Sequence, residues 1–303
     1  MPKPPAAAVR PLDAIGVGGL LTCCMIWGVN QVALKVANEG ISPVFQAGLR
    51  SVLVAILIWL WALARGIPLF KRDGTLWAGI AAGLAFTANF IFIGPGLVLT
   101  EASRGVLFLY SAPFFVALGA HMLIPGERLT PAKSLGLLLA FIGLVVSVAD
   151  KFGSGRPADL LGDFYCLLAG FSWAVTTLII RTTRLQHTSA ERNLFYELVV
   201  SAPLLFAFAW YYGEPGITDL RPAVVAWFAY SVVVVVFFSY TLWIWLLNRY
   251  PASEVSVFTF LAPIFAVLAG HLLLDEPVTI GLAVALALVT AGIYLVSKPR
   301  QAT

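Results

Sequence analysis

The sequence predicts an all-α integral membrane protein of ten transmembrane helices, arranged as two inverted five-helix repeats with both termini cytoplasmic. Three observations carry this expectation: an extreme apolar composition, ten apolar runs of membrane-spanning length, and an internal similarity at a fixed offset. Of 303 residues, 60% are hydrophobic and 11% are charged, with a mean hydropathy of +0.92. An ordinary soluble domain has roughly half apolar and about a quarter charged residues, so these few charges cannot cover a water-soluble surface. At roughly 20 apolar residues per span, the chain has room for about ten helices and no sizeable extramembrane domain.

The runs fall near residues 13–34, 43–64, 74–98, 102–124, 131–149, 159–180, 190–212, 222–248, 251–274 and 278–297. At 1.5 Å of rise per residue, each reaches across about 30 Å of hydrocarbon. Short connections imply antiparallel neighbours in one bundle. The stretch DKFGSGRPA, residues 150–158, combines Gly, Pro and charge near the midpoint and reads as a periplasmic linker. It separates a first repeat, residues 1–149, from a second, residues 159–303. The basic residues Lys3 and Arg10 before the first run resemble the start of a signal peptide. That run has no small-residue cleavage site and is followed by further spans, so an uncleaved first helix is expected.

Orientation follows from the Lys and Arg residues of the loops. With a cytoplasmic N-terminus, thirteen fall inside, five (Lys35, Arg104, Lys151, Arg156 and Arg221) fall outside, and Arg50 lies within a span. The net charge of +4 is thereby explained by topology, and no nucleic-acid partner is expected.

A shift of 150 residues sets Ala102, Ser103, Phe108, Ala112, Pro113, Phe115, Leu118, His121 and Leu123 on Ala252, Ser253, Phe258, Ala262, Pro263, Phe265, Leu268, His271 and Leu273. Nine identities in twenty-five positions exceed what shared hydrophobicity explains. A weaker overlay sets Trp27 on Trp173. An odd number of spans per half makes the second half enter the membrane upside down, the inverted repeat typical of secondary transporters.

The run IWGVNQVALKVANEGISPVFQAGLR, residues 26–50, resembles the first two helices of the EamA branch of the drug/metabolite transporter superfamily. So does TEASRGVLFLYSAPFFVALGAHMLIPGERLTPAKSLG, residues 100–136, and YPASEVSVFTFLAPIFAVLAGHLLLDEPVTIG, residues 250–281, repeats the pattern. The resemblance implies export of small metabolites across the bacterial inner membrane. Within the family the chain looks most like the YddG-type exporters of aromatic and other neutral amino acids. An amino acid is thus the expected partner besides the lipid bilayer, and a monomer the expected unit.

Ionisable residues inside a bilayer normally face the bundle interior. Arg50 and Glu197 each lie about seven residues into their spans at an offset of 147, each roughly 10 Å deep from opposite faces. Two roles stay open for them: binding a zwitterion, with Glu197 at the amino group and Arg50 at the carboxylate, or holding helices together. The remaining candidates for substrate binding are Asn30, Gln46, Asn89, Tyr110 and Tyr196 among polar residues, and Trp173, Tyr240 and Trp243 among deep aromatics. Helix packing is the competing role for each. His121 and His271 are candidates for proton movement, or else helix-end contacts. Pro113 and Pro263, each read as mid-helix, are candidate hinges or static bends, and Pro95 is a third bend. Glu127 and Glu276 read as helix caps or gating contacts.

Cys23, Cys24 and Cys166 lie in apolar runs without metal-ligand spacing, and no metal or other cofactor is expected. No nucleotide-binding, zinc-protease or nucleophile-elbow motif occurs, which argues against ATP coupling and against an intramembrane enzyme. A channel is the other rival, and the absence of a ring of charges favours a carrier.

Overall fold

The computed structural model describes residues 11–100, 102–148, 157–274 and 280–297. Most of the 150–158 linker, and Glu276, lie outside them. Thirteen α-helices are present among the described residues: α1 (Ala14–Ala37), α2 (Pro43–Arg65), α3 (Leu76–Leu99), α4 (Ala102–Leu109), α5 (Ala112–Leu123), α6 (Pro131–Val148), α7 (Pro157–Thr182), α8 (Ala190–Tyr211), α9 (Pro222–Tyr230), α10 (Thr241–Leu247), α11 (Ala252–Val257), α12 (Leu261–Leu274) and α13 (Ile280–Ser297). They make ten spans, because α4 with α5, α9 with α10, and α11 with α12 each cross as one. Seven helical stretches are long and apolar enough to cross a membrane, and the shorter ones are Leu107–Leu123, Pro131–Val146 and Ala283–Ser297.

Local chemistry sets the ends. Asp13 accepts a hydrogen bond from Gly16 N at 2.8 Å and Ser189 one from Arg192 N at 3.3 Å, capping α1 and α8. Proline opens α2 and α9, where its missing N–H costs nothing, and Gly66 closes α2 with φ of +64°.

The arrangement is two-fold. Span 3 packs on spans 6 and 7, and span 8 correspondingly on spans 1 and 2; span 1 packs on span 9, and span 6 on span 4. Spans 2 and 7, 4 and 9, and 5 and 10 meet their own counterparts. Where α2 crosses α8, Ser201 Oγ donates to Ser51 Oγ at 3.1 Å, and these serines are themselves 150 residues apart. Gly48 lies against Phe206 on one side of this crossing, so the two helices run antiparallel. In the α6–α13 pair Gly136 faces the carbonyl of Gly292, and Gly143 that of Ala285, again antiparallel. A Cβ on Gly136 or on Gly292 would collide with the other's carbonyl oxygen, so only glycine permits this approach.

The expected mid-helix bends at Pro113 and Pro263 are corrected. Span 4 is interrupted at Tyr110 and Ser111, with Ser111 N donating to Phe108 O at 3.2 Å, and Pro113 sits in the first turn of the new helix α5. Span 9 passes through a 3₁₀ stretch, Phe258–Phe260, and Pro263 lies in the first turn of α12. A proline there interrupts no helical hydrogen bond of its own segment, which is why the break forms just before it. The neighbouring span braces each break: the carbonyls of Phe108 and Leu109 press on Gly170, while Phe258 O accepts from Cys24 Sγ at 3.1 Å. Gly170 and Cys24 each stand three residues before the paired tryptophans, Trp173 and Trp27. Pro95 and Pro203 are the prolines inside continuous helices, α3 and α8.

Between α9 and α10, Ser231–Tyr240 winds as a π-helix. Its wider turn shifts the face on which Ser239 and Tyr240 emerge, a change that hydropathy does not register.

Candidate functional site: an aromatic cavity with a buried carboxylate

The repeat mates Trp27 and Trp173 meet edge to face at the centre of the bundle, 5.9 Å between ring centroids. Tyr240 and Trp243 complete the group, at 6.0 and 5.1 Å from Trp27. Trp27 Nε1 donates to Ser239 Oγ at 2.9 Å, which satisfies its polar edge and fixes the ring. Trp173, Tyr240 and Trp243 form one wall of a cavity. Phe86 of α3, Thr176, Thr177 and Ile180 of α7, Ile244 and Leu247 of α10, and Glu197 of α8 form the rest. Its free space of about 20 Å³ admits a water molecule and nothing larger. An organic substrate therefore requires these helices to part.

Glu197 is 3% exposed, and its Oε1 has no hydrogen-bond partner. Among the described residues no cation lies within ion-pair distance of it. Arg50 is also buried, with its guanidinium over the Phe90 ring at 5.5 Å from the centroid. It does not line the cavity and forms no ion pair with Glu197. Taking the Ser51–Ser201 contact as the crossing point, Arg50 and Glu197 are offset by roughly 7 Å along the helix axes.

Four of the ten predicted binding residues thus converge on the cavity: Trp173, Glu197, Tyr240 and Trp243. Tyr110 stands at the break in span 4 and does not line the cavity. The others are engaged elsewhere. Asn30 Oδ1 accepts from Ser231 Oγ at 2.7 Å, Gln46 Nε2 donates to Asn38 Oδ1 at 3.2 Å, and Asn89 Nδ2 donates to Ala169 O at 2.8 Å. Each of these bonds joins two segments, the packing role that intramembrane polar groups commonly take. Tyr196 points to the membrane face where α1 begins and α13 ends, and its hydroxyl accepts from Arg192 Nη2 at 3.1 Å. His121 and His271 are exposed near the ends of α5 and α12, and neither reaches the cavity. His121 Nδ1 accepts from Leu129 N at 3.3 Å.

Two polar clasps close this same face. Arg192 donates to Asp73 at 2.5 and 3.1 Å, to Lys71 O at 2.5 Å and to Thr75 Oγ1 at 2.9 Å. The Arg192 and Thr75 hydrogen bonds hold the Asp73 carboxyl well below the usual carboxylate range. In the second clasp, Glu127 accepts from Arg181 Nη2 at 3.0 Å and from the backbone of Ala252 and Ser253 at 3.0 and 3.1 Å. It thereby caps α11 of the other half, with its charge at the positive end of that helix. On the opposite face Glu214 caps α2 in the same manner, accepting from Val44 N at 3.0 Å and Phe45 N at 2.7 Å.

A family model described as "EamA-like transporter family" matches residues 14–149 and again 160–298. The chain belongs to the EamA-like transporter family. This EamA-like protein is a multi-pass membrane transporter and not an enzyme. It is 22% identical over 278 residues to "Uncharacterized transporter YoaV" of Bacillus subtilis (strain 168), covering 91% of this chain and 94% of that one. It is 25% identical over 291 residues to a "Probable amino-acid metabolite efflux pump" of Escherichia coli (strain K12), covering 92% and 93%. Its fold matches a solved structure described as "Crystal structure of protein" with a TM-score of 0.80 at 20% identity, covering 93% of this chain and 96% of that one.

Of the cavity residues in this EamA-like transporter, sequence reasoning did not single out Phe86, whose ring centroid lies 6.2 Å from that of Tyr240. Trp27 itself was legible only as the overlay partner of Trp173. Because these two repeat mates touch each other, they lie at the axis that relates the halves of an inverted repeat.

Proposed function

We propose that this transporter exports small metabolites bearing an ammonium group, foremost aromatic and other neutral amino acids, out of a bacterial cytoplasm by alternating access. The observation that carries this is Glu197, a carboxylate with a free oxygen in the wall of an aromatic cavity inside the bundle. A substrate ammonium satisfies the carboxylate, and the faces of Trp173, Tyr240 and Trp243 hold the cation and any apolar side chain beside it. The roughly 7 Å axial offset suits a zwitterion whose ammonium bonds Glu197 while its carboxylate bonds Arg50. The similarity to an amino-acid metabolite efflux pump and the YddG-like character of the sequence support the same substrate class. The thirteen-to-five distribution of basic residues supports a cytoplasmic position for the clasped face, and the proposed unit is a monomer in the inner membrane.

The test is uptake of labelled L-phenylalanine, L-leucine and phenethylamine into proteoliposomes. Both amino acids are expected to cross faster than into protein-free vesicles. Failure of both overturns the amino acid assignment. Passage of phenethylamine alone assigns an amine carrier, a result that the absence of Arg50 from the cavity wall would then explain.

A further inference from the structure

We propose that Glu197 is where transport is coupled to a proton: its carboxyl holds a proton in the empty carrier and releases it when the substrate ammonium arrives. This rests on the transport function proposed above and names what the returning carrier carries.

The geometry supplies the reason. Glu197 Oε1 has no hydrogen-bond partner in the protein, the adjoining space has room for no more than a water-sized group, and no described cation pairs with the carboxylate. An ionised carboxylate in such a place is uncompensated and costly, whereas a protonated one is neutral. The charged and titratable neighbours do not alter this. On α8, Arg192 is taken up by Asp73 and Thr75, and the Tyr196 hydroxyl by Arg192 and Thr75. Arg50 of α2 lies over Phe90, and Tyr240 faces the cavity as a phenol. On α7, Arg181 is held by Glu127, and Asp163 accepts from Thr100 Oγ1 at 2.6 Å at the far end. Helices α3 and α10 carry no ionisable residue; Arg249 beyond α10 lies over the Trp245 ring, and Arg184 donates to Asp73 O. His121 and His271, the histidines first considered for proton movement, lie outside this environment.

One carboxyl accommodates a proton or an ammonium group, not both. At the cytoplasmic face the carboxylic acid loses its proton to water as the ammonium pairs with the carboxylate. At the outer face the ammonium leaves and a proton from outside takes its place. Each cycle moves one substrate out and one proton in, so export of a net-neutral zwitterion carries one positive charge inward.

Two measurements on the purified full chain decide it. Infrared spectroscopy of the substrate-free protein at pH 7 is expected to show a buried carboxylic-acid carbonyl band that is missing from Glu197→Gln. Addition of saturating L-phenylalanine in weak buffer is expected to remove the band and release one proton per protein, as read by a pH dye. Absence of the band from the wild type overturns the proposal whatever is transported. Transport of phenylalanine without proton release overturns the exchange and leaves the transport function standing. If phenylalanine does not cross, the function fails and the exchange falls with it.

Discussion

Phenylalanine export by Glu197→Gln is expected to fall about ten- to a hundredfold, with the protein still folded. The substitution keeps the shape of the side chain and removes the charge that an ammonium pairs with. A hydrogen bond to a charged partner contributes about 1.5–3 kcal/mol, and each 1.4 kcal/mol is a factor of ten. Stability should change little, because the wild-type carboxyl already lacks a partner at Oε1. Initial rates in proteoliposomes and the unfolding temperature in detergent check both halves. Wild-type rates from the variant would remove Glu197 from the site.

The largest expected loss of stability is at Glu127. Its ion pair with Arg181 leaves the two side chains 4% and 2% exposed, so water cannot replace either partner. Glu127→Ala strands the Arg181 charge and uncaps the amides of Ala252 and Ser253. Breaking a buried pair from one side costs about 3–5 kcal/mol, while replacing both partners by apolar groups is often neutral. Glu127→Ala is therefore expected to lower the unfolding temperature strongly, and Glu127→Ala with Arg181→Met to recover much of the loss. A single variant within about 1 kcal/mol of the wild type, below that range, would show that the clasp is peripheral. Because Glu127 joins the loop after span 4 to the start of span 9, the weakened clasp should also favour opening toward the face it closes.

Much of the fold was legible because a bilayer imposes a length and a polarity that sequence displays directly. The ten spans and the inverted repeat follow from apolar runs and from matched pairs such as Pro113 with Pro263 and His121 with His271. What those prolines do was not legible. A proline inside a long apolar run looks like a kink, and only the turn at Tyr110 and Ser111 shows that a new helix begins there. The π-helical winding of Ser231–Tyr240 was hidden for a related reason: a run of valines is equally apolar in any helix.

The candidate site was legible in part. Glu197 stood out because an acid within a span is rare, and Trp173, Tyr240 and Trp243 because they lie deep. Asn30, Gln46, Asn89 and Tyr196 looked equivalent to them in sequence, yet each has a partner on a neighbouring segment. Depth along a helix can be counted from residue numbers. The direction a side chain faces in a weakly amphipathic membrane helix depends on its neighbours, which the run itself does not name.

The central claim is that the Glu197 cavity is the substrate site and opens to each side of the membrane in turn. A single cysteine at Thr177, in a variant with Cys23, Cys24 and Cys166 replaced by alanine, reports on it directly, because Thr177 lines the cavity and is 2% exposed. A membrane-impermeant thiol reagent applied to oriented vesicles is predicted to label Thr177→Cys from either side, and L-phenylalanine to slow both reactions. Labelling from one side only, or rates indifferent to phenylalanine, would contradict the account.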